Sequence, residues 1–143
     1  MATGEIILAA EIVHDVVAAF GELYEARFPI KQLVTMEMYA GHDGLAGREN
    51  NSSGFTCRDV RNTGRWSQHA YGLAVDINPL RNPYLVDGEI RPPMGAAYLD
   101  RADVRPGMIV EGDLVVQAFT SRGFVWGGRF VNTPDYQHFA LPR

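Results

Sequence analysis

Two segments far apart in the chain constrain it most: Ser67-Gln68-His69-Ala70-Tyr71-Gly72-Leu73-Ala74-Val75-Asp76, and Asp135-Tyr136-Gln137-His138-Phe139. The first runs from a histidine through a glycine-containing turn into an apolar stretch that carries a carboxylate. Leu73 to Ile77 reads as a strand, stopped by Asn78-Pro79. Strand alternation puts Ala74 and Asp76 on one face and Val75 with Ile77 on the other, so Asp76 points away from the core side beside a small neighbour. Gly72 is free to adopt backbone angles that bring the His69 imidazole back towards Asp76. The second segment adds another imidazole at His138, with Asp135 three residues before it. If these four side chains serve one centre, the strand ending near Asp76 and the segment around His138 have to be neighbours in space. Two neutral imidazoles, one ligating carboxylate and a spare carboxylate form the donor set of a hydrolytic zinc centre with one position left open for water.

The rest of the chain supplies the frame. With 143 residues and 46% hydrophobic content, it is long enough for one core, and a single domain over 1–143 is expected. A formal net charge of −4 and a pI near 5.5 give no broad basic surface, which argues against a nucleic-acid partner. The lone Cys57 excludes an internal disulfide framework. The start, Met1-Ala2-Thr3-Gly4-Glu5, lacks a basic leader region, and the apolar run after it is interrupted by Glu11, His14 and Asp15. Neither a signal peptide nor a membrane span is therefore expected. A substrate outside the membrane would require a removed leader, a larger parent chain or release by phage lysis.

From Glu5 to about Arg27 the apolar residues Ile6, Ala9, Val13, Val16, Phe20 and Leu23 recur at helical spacing, and Pro29 ends the pattern. Gln32 to Tyr39 alternates like a strand, with Met36 and Met38 expected to face the core. Gly41 to Ser53 is polar and glycine-containing and reads as a surface loop. Phe55-Thr56-Cys57-Arg58 is a short strand or turn leading out of it. Between Asn82 and Pro93 a hairpin turning on Asp87-Gly88 is positioned to wall one side of a cleft. Asp113 is a good N-cap for a helix ending before Gly123, and Phe124-Val125-Trp126 begins a further strand. The expected fold is α+β: a small antiparallel sheet carrying His69, Asp76 and His138, backed by the first helix and the helix that follows Asp113.

Roles follow from the chemistry of each side chain. His69, Asp76 and His138 are the candidate ligands of one zinc ion. Asp135 is the candidate general base, and a positioned carboxylate contributes on the order of 10²- to 10⁴-fold through proton transfer. Arg58, a permanently charged planar fork, is the candidate cation, either steadying an oxyanion or holding a substrate carboxylate. Ser67 is placed to orient a ligand or the substrate. Trp126 either packs between sheet and helix or lines the cleft.

These segments resemble the zinc peptidases that include D-alanyl-D-alanine carboxypeptidases and L-alanyl-D-glutamate endopeptidases of bacterial cell walls and phage endolysins. The shared pattern S-x-H-x-x-G-x-A-x-D, followed by a distant acidic-x-x-H, matches at Ser67, His69, Gly72, Ala74, Asp76, Asp135 and His138. Phe55 to Arg58, Asn78-Pro79, Asn82-Pro83-Tyr84 and Gly123 to Gly128 are further family-like pieces. The resemblance implies a hedgehog/D,D-peptidase-like fold, with zinc on His69, Asp76 and His138, Asp135 as base and Arg58 aiding the transition state. It implies a peptidoglycan stem peptide as substrate, action on the bacterial cell wall, no membrane insertion and a monomer. An aspartate in the base position leans towards the endopeptidase branch, with D-alanyl-D-alanine carboxypeptidase as the alternative. Ala140 departs from the pattern, standing where an acidic or amide residue commonly follows His-Phe. A zinc-stabilised wall- or protein-binding module without turnover, similar to the hedgehog signalling domain, and a metal-free structural domain are the readings of another class.

Overall fold

The computed structural model describes residues 3–60 and 63–142. Met1 and Ala2, part of the segment read for leader features, lie outside the described residues. The elements run α1 (Ala10–Glu25), β1 (Gln32–Leu33), α2 (Asp43–Arg48), β2 (Asn51–Ser52), β3 (Asp59–Val60), β4 (Arg65–Trp66), β5 (Ala74–Asp76), β6 (Tyr84–Val86), β7 (Glu89–Arg91), α3 (Leu114–Thr120), β8 (Val125–Trp126) and β9 (His138–Ala140). Helices and small sheets are mixed, as an α+β chain requires. No helix among the described residues is long and apolar enough to cross a membrane.

The central sheet has the order β5-β9-β8 and is antiparallel throughout. Its register sets Ala74 opposite Ala140, Val75 opposite Phe139 and Asp76 opposite His138. Directly opposed residues share a face. Val75 and Phe139 therefore both enter the core, where Phe139 stacks on Phe119 of α3 with ring centroids 4.5 Å apart. Asp76 and His138 share the other face, next to the two alanines. Helices α1 and α3 cover the core side through Ile12, Val16, Ala19 and Leu23 of the first and Val115, Val116, Ala118 and Phe119 of the second.

Asp113 caps α3 as expected, its carboxylate accepting from Val116 N at 2.9 Å. Gly123, at φ +86°, closes the helix, and Phe124 N reaches back to Phe119 O. The hairpin β6–β7 turns on Asp87 and Gly88, both at positive φ.

Three expectations from the sequence are corrected. The first helix begins at Ala10 rather than Glu5, because residues 5–9 are taken up in extended backbone pairing. Glu5 N bonds Leu33 O, Ala9 N bonds Gly72 O, and Phe55 N bonds Ile7 O. The buried stripe is accordingly Ile12-Val16-Ala19-Leu23, and Val13 is left exposed. The strand from Gln32 stops at Leu33, and Met36–Tyr39 forms a 3-10 turn closed by Ala40 in the left-handed region. Met36 is buried but Met38 is 75% exposed. The Met-Glu-Met run contains good helix formers and no β-branched residue to hold it extended.

Gly41 to Ser53, third, is not a surface loop. It contains α2 and β2, and Asn50, Asn51 and Ser52 are buried. Their polarity does not keep them outside because their side chains replace water as partners of the backbone. Asn51 accepts from Val34 N and donates to Val34 O, Asn50 accepts from Leu80 N, and Ser52 accepts from Asn78 N.

Candidate metal centre and its cleft

His69, expected on the central sheet with Asp76 and His138, lies instead just before it in the 3-10 turn Gln68–Tyr71, whose N-cap is Ser67. The Ser67 hydroxyl oxygen accepts from His69 N at 3.3 Å, and Ser67 is itself buried. Gly72 ends the turn at φ +69°, and a Cβ there would sit 2.6 Å from Ala9 N. Any side chain at this position would therefore meet both strain and a collision with the backbone. This tight return seats the His69 ring beside β5. The ring is fully buried and its Nδ1 donates to Gly54 O at 2.6 Å. With that proton committed, neutral His69 presents a lone pair at Nε2.

Three donor side chains then meet, Asp76 through both of its oxygens. His69 Nε2 is 3.2 Å from Asp76 Oδ2 and 3.2 Å from His138 Nδ1, which in turn is 3.1 Å from Asp76 Oδ1. Zinc bound to nitrogen at about 2.0–2.1 Å in a tetrahedron spaces its ligand atoms roughly 3.3 Å apart. The two imidazole nitrogens stand near that spacing, Asp76 meets each through a different oxygen, and one donor atom from each residue lies within 4.8 Å of the others; the donor types are those zinc takes from proteins. Electrostatics favours a cation in the same place. Burial opposes the charged form of Asp76, yet the two imidazoles hold its carboxyl well below the usual range. His69 is raised above its ordinary value because Asp76 outweighs the desolvation that burial imposes. The residues present thus fit a single zinc ion.

Asp135 stands beside this group without joining it. Its segment is held by Asp135 N to Gly127 O at 2.9 Å, His138 N to Asp135 O at 3.2 Å, and Leu85 N to Pro134 O at 2.8 Å. Its Oδ1 is sealed from solvent and has no hydrogen-bond partner. Burial pushes the Asp135 carboxyl up to about 7; His138 works against this and the negative charge of Asp76 adds to it. An unsatisfied carboxylate oxygen next to two metal-type imidazoles, titrating near neutrality, has the attributes of a general base.

Ser67, His69, Asp76, Asp135 and His138 open onto one cleft of about 1180 Å³. The β6–β7 hairpin walls it through Tyr84, Glu89, Ile90 and Arg91, and α2 forms another wall. Arg58 lines it and is ion-paired to Asp43, the first residue of α2. Trp126 does not line it. That ring is buried under the Asp135–His138 segment, stacks on Phe139, and donates Nε1–H to Tyr136 O at 2.9 Å. Besides Tyr84, the cleft wall carries the aromatic rings of Trp66 and Phe130, to which no sequence pattern pointed.

A family model described as D-alanyl-D-alanine carboxypeptidase matches residues 61–141, more than half of the chain. The chain belongs to that family. Neither a curated protein nor a solved structure matches it significantly. The matched region carries Ser67, His69, Asp76, Asp135 and His138, whereas Arg58 and Asp43 precede it. Members of this peptidase family are typically zinc-dependent, in keeping with the donor set assembled here.

The sequence also missed two supports of the site. The Gly54 carbonyl fixes the His69 tautomer, and a backbone group leaves no mark in side-chain spacing. Gly127 packs under the base: a Cβ there would lie 2.6 Å from Asp135 O, 2.9 Å from Asp135 Cβ and 3.2 Å from His138 Cβ. Gly127→Ala is expected to displace this segment and lower kcat by roughly tenfold or more, since misplacing a catalytic group by about 1 Å can cost about 10²-fold. Steady-state kinetics alongside zinc content checks this, with the larger change expected in kcat.

Proposed function

We propose that the protein is a zinc-dependent peptidoglycan peptidase that hydrolyses a stem-peptide bond adjoining a D-amino acid at the bacterial cell wall. The observation that carries this reading is the buried Asp135 carboxylate, one oxygen of which has no hydrogen-bond partner, beside three converging donor side chains in a cleft large enough for a peptide. His69, Asp76 and His138 would hold the zinc. Bound there, the ion supplies Lewis-acid polarisation and activates water near neutral pH. The chain's own groups do the rest. Asp135 accepts the proton of the attacking water and returns it to the leaving amine, and Arg58 offers N–H donors to the carbonyl oxygen as negative charge develops on it. Ser67 and Gly54 keep His69 in place, and Trp126 keeps the Tyr136 carbonyl, and with it the base, in place.

Two bonds of the stem peptide fit this chemistry. The family description favours the terminal D-alanyl-D-alanine bond, whereas the aspartate in the base position leans towards L-alanyl-D-glutamate. Digesting purified muropeptides with zinc-loaded protein and reading the products by mass spectrometry separates them: released D-alanine marks the first, and a new D-glutamate amine marks the second. No product from wild type, with an Asp135→Ala control behaving identically, would remove the peptidase reading in favour of a zinc-stabilised binding module.

A further inference from the structure

The Asp43 carboxylate lies against Arg58 Nε. That nitrogen is sealed from solvent and makes no hydrogen bond, so Asp43 holds it as an ion pair, and the 39% exposure of the Arg58 side chain belongs to its other atoms. Both residues line the cleft together with His69, Asp76 and Asp135. Asp43 is close enough to the donor group to interact electrostatically with Asp76 and His69. An arginine on a cleft wall has a flexible stem, and only a fixed donor stabilises charge as it forms. An exposed ion pair contributes little to stability. The consequence of this one lies in where it holds the guanidinium.

We propose that Asp43 is a positioning residue for the reaction, gripping Arg58 by its Nε edge so that the terminal N–H donors of the fork face the substrate carbonyl. This rests on the peptidase reading and adds to it a residue that precedes the family match. Asp43 contacts no reacting atom and acts through Arg58 alone, which makes the idea testable by a double-mutant cycle.

The experiment compares zinc-loaded wild type, Asp43→Asn, Arg58→Gln and the double variant on a muropeptide, with zinc content and melting temperature measured on each. Arg58→Gln should lower kcat by about 10²- to 10³-fold, as loss of one charge-stabilising donor does. Asp43→Asn should lower kcat by up to about 10²-fold with KM nearly unchanged, as misplacement does. The double variant should be no slower than Arg58→Gln alone. Losses that multiply, or an Asp43→Asn enzyme as fast as wild type, would overturn the proposal; Asp43→Ser serves if the asparagine variant does not fold. NMR of the Arg58 Nε–H group gives a reading independent of turnover: protected in wild type and lost to exchange in Asp43→Asn if the grip exists, alike in both if it does not. A wild type that releases no amine would overturn the peptidase reading, and the Nε–H signal would still decide whether Asp43 holds Arg58.

Discussion

Replacing Asp135 with asparagine is expected to lower kcat by about 10²- to 10⁴-fold while zinc stoichiometry stays at that of the wild type. The substitution keeps the shape of the side chain and leaves the backbone bonds to Gly127 and His138 in place. It removes only the ability to take a proton. Because Asp135 is not among the three converging donors, metal content should not follow activity. The pH profile adds a second signature. Burial raises this carboxyl from 3.8 to about 7, so in metal-free protein the base is protonated below that value and ionised above it. A divalent cation at His69, Asp76 and His138 adds positive charge nearby and moves the titration down. The acid limb of kcat/KM in the loaded enzyme should therefore fall below pH 7 and disappear in Asp135→Asn. Stability carries the opposite sign. A group whose folded pKa is raised stabilises the fold below its unfolded value, and that contribution is lost as pH rises through the folded one. Metal-free wild type should lose melting temperature on passing from acid to neutral pH, and metal-free Asp135→Asn should lose less. Unchanged turnover in this variant would reassign the base.

What could be read from the sequence, and what could not, divides along a physical line. Residues that act through their own side chain at a recognisable spacing were legible. His69, Asp76 and His138 come together, Asp76 and His138 as a directly opposed pair in the sheet, because a strand, a glycine turn and a second strand leave few ways to place them. Asp113 and the Asp87-Gly88 turn were legible for the same reason, since each sets its local backbone. Residues whose role is to meet a distant backbone were not. Asn51 lies in a polar stretch that looks like a loop until its amide is seen bonding both polar groups of Val34. Residues 5–9 continue a helical apolar pattern, yet pairing with Leu33, Phe55 and Gly72 outweighs that local preference. Asp43 shows the limit most clearly. Its partner Arg58 was a candidate from the start, but nothing in the spacing of the two predicts that a six-residue helix turns one onto the other.

Stripping the metal with a chelator is expected to abolish hydrolysis and to lower the melting temperature by roughly 10 °C, and zinc alone should restore both. The size follows from mass action. A ligand at about 1,000 times its Kd stabilises the state it binds by about 4 kcal/mol, and for a chain near this length each kcal/mol shifts the midpoint by about 2–4 °C. The fold should survive the loss, because Asp76 and His138 are fixed by the register of the central sheet and His69 by Ser67 and Gly54, none of which depends on an ion. What changes is the charge balance at the point where His69 Nε2, Asp76 and His138 Nδ1 face one another within 3.2 Å. Without a cation, protons have to satisfy three acceptors, and the raised pKa of His69 shows that the site already favours positive charge there. Protons and zinc therefore compete, and zinc affinity should weaken as pH falls through the His69 titration. His69→Ala removes one donor and should melt at the same temperature with and without zinc. A wild-type midpoint and turnover that ignore the chelator would leave the three donors as a buried hydrogen-bonded cluster and end the case for a metallopeptidase.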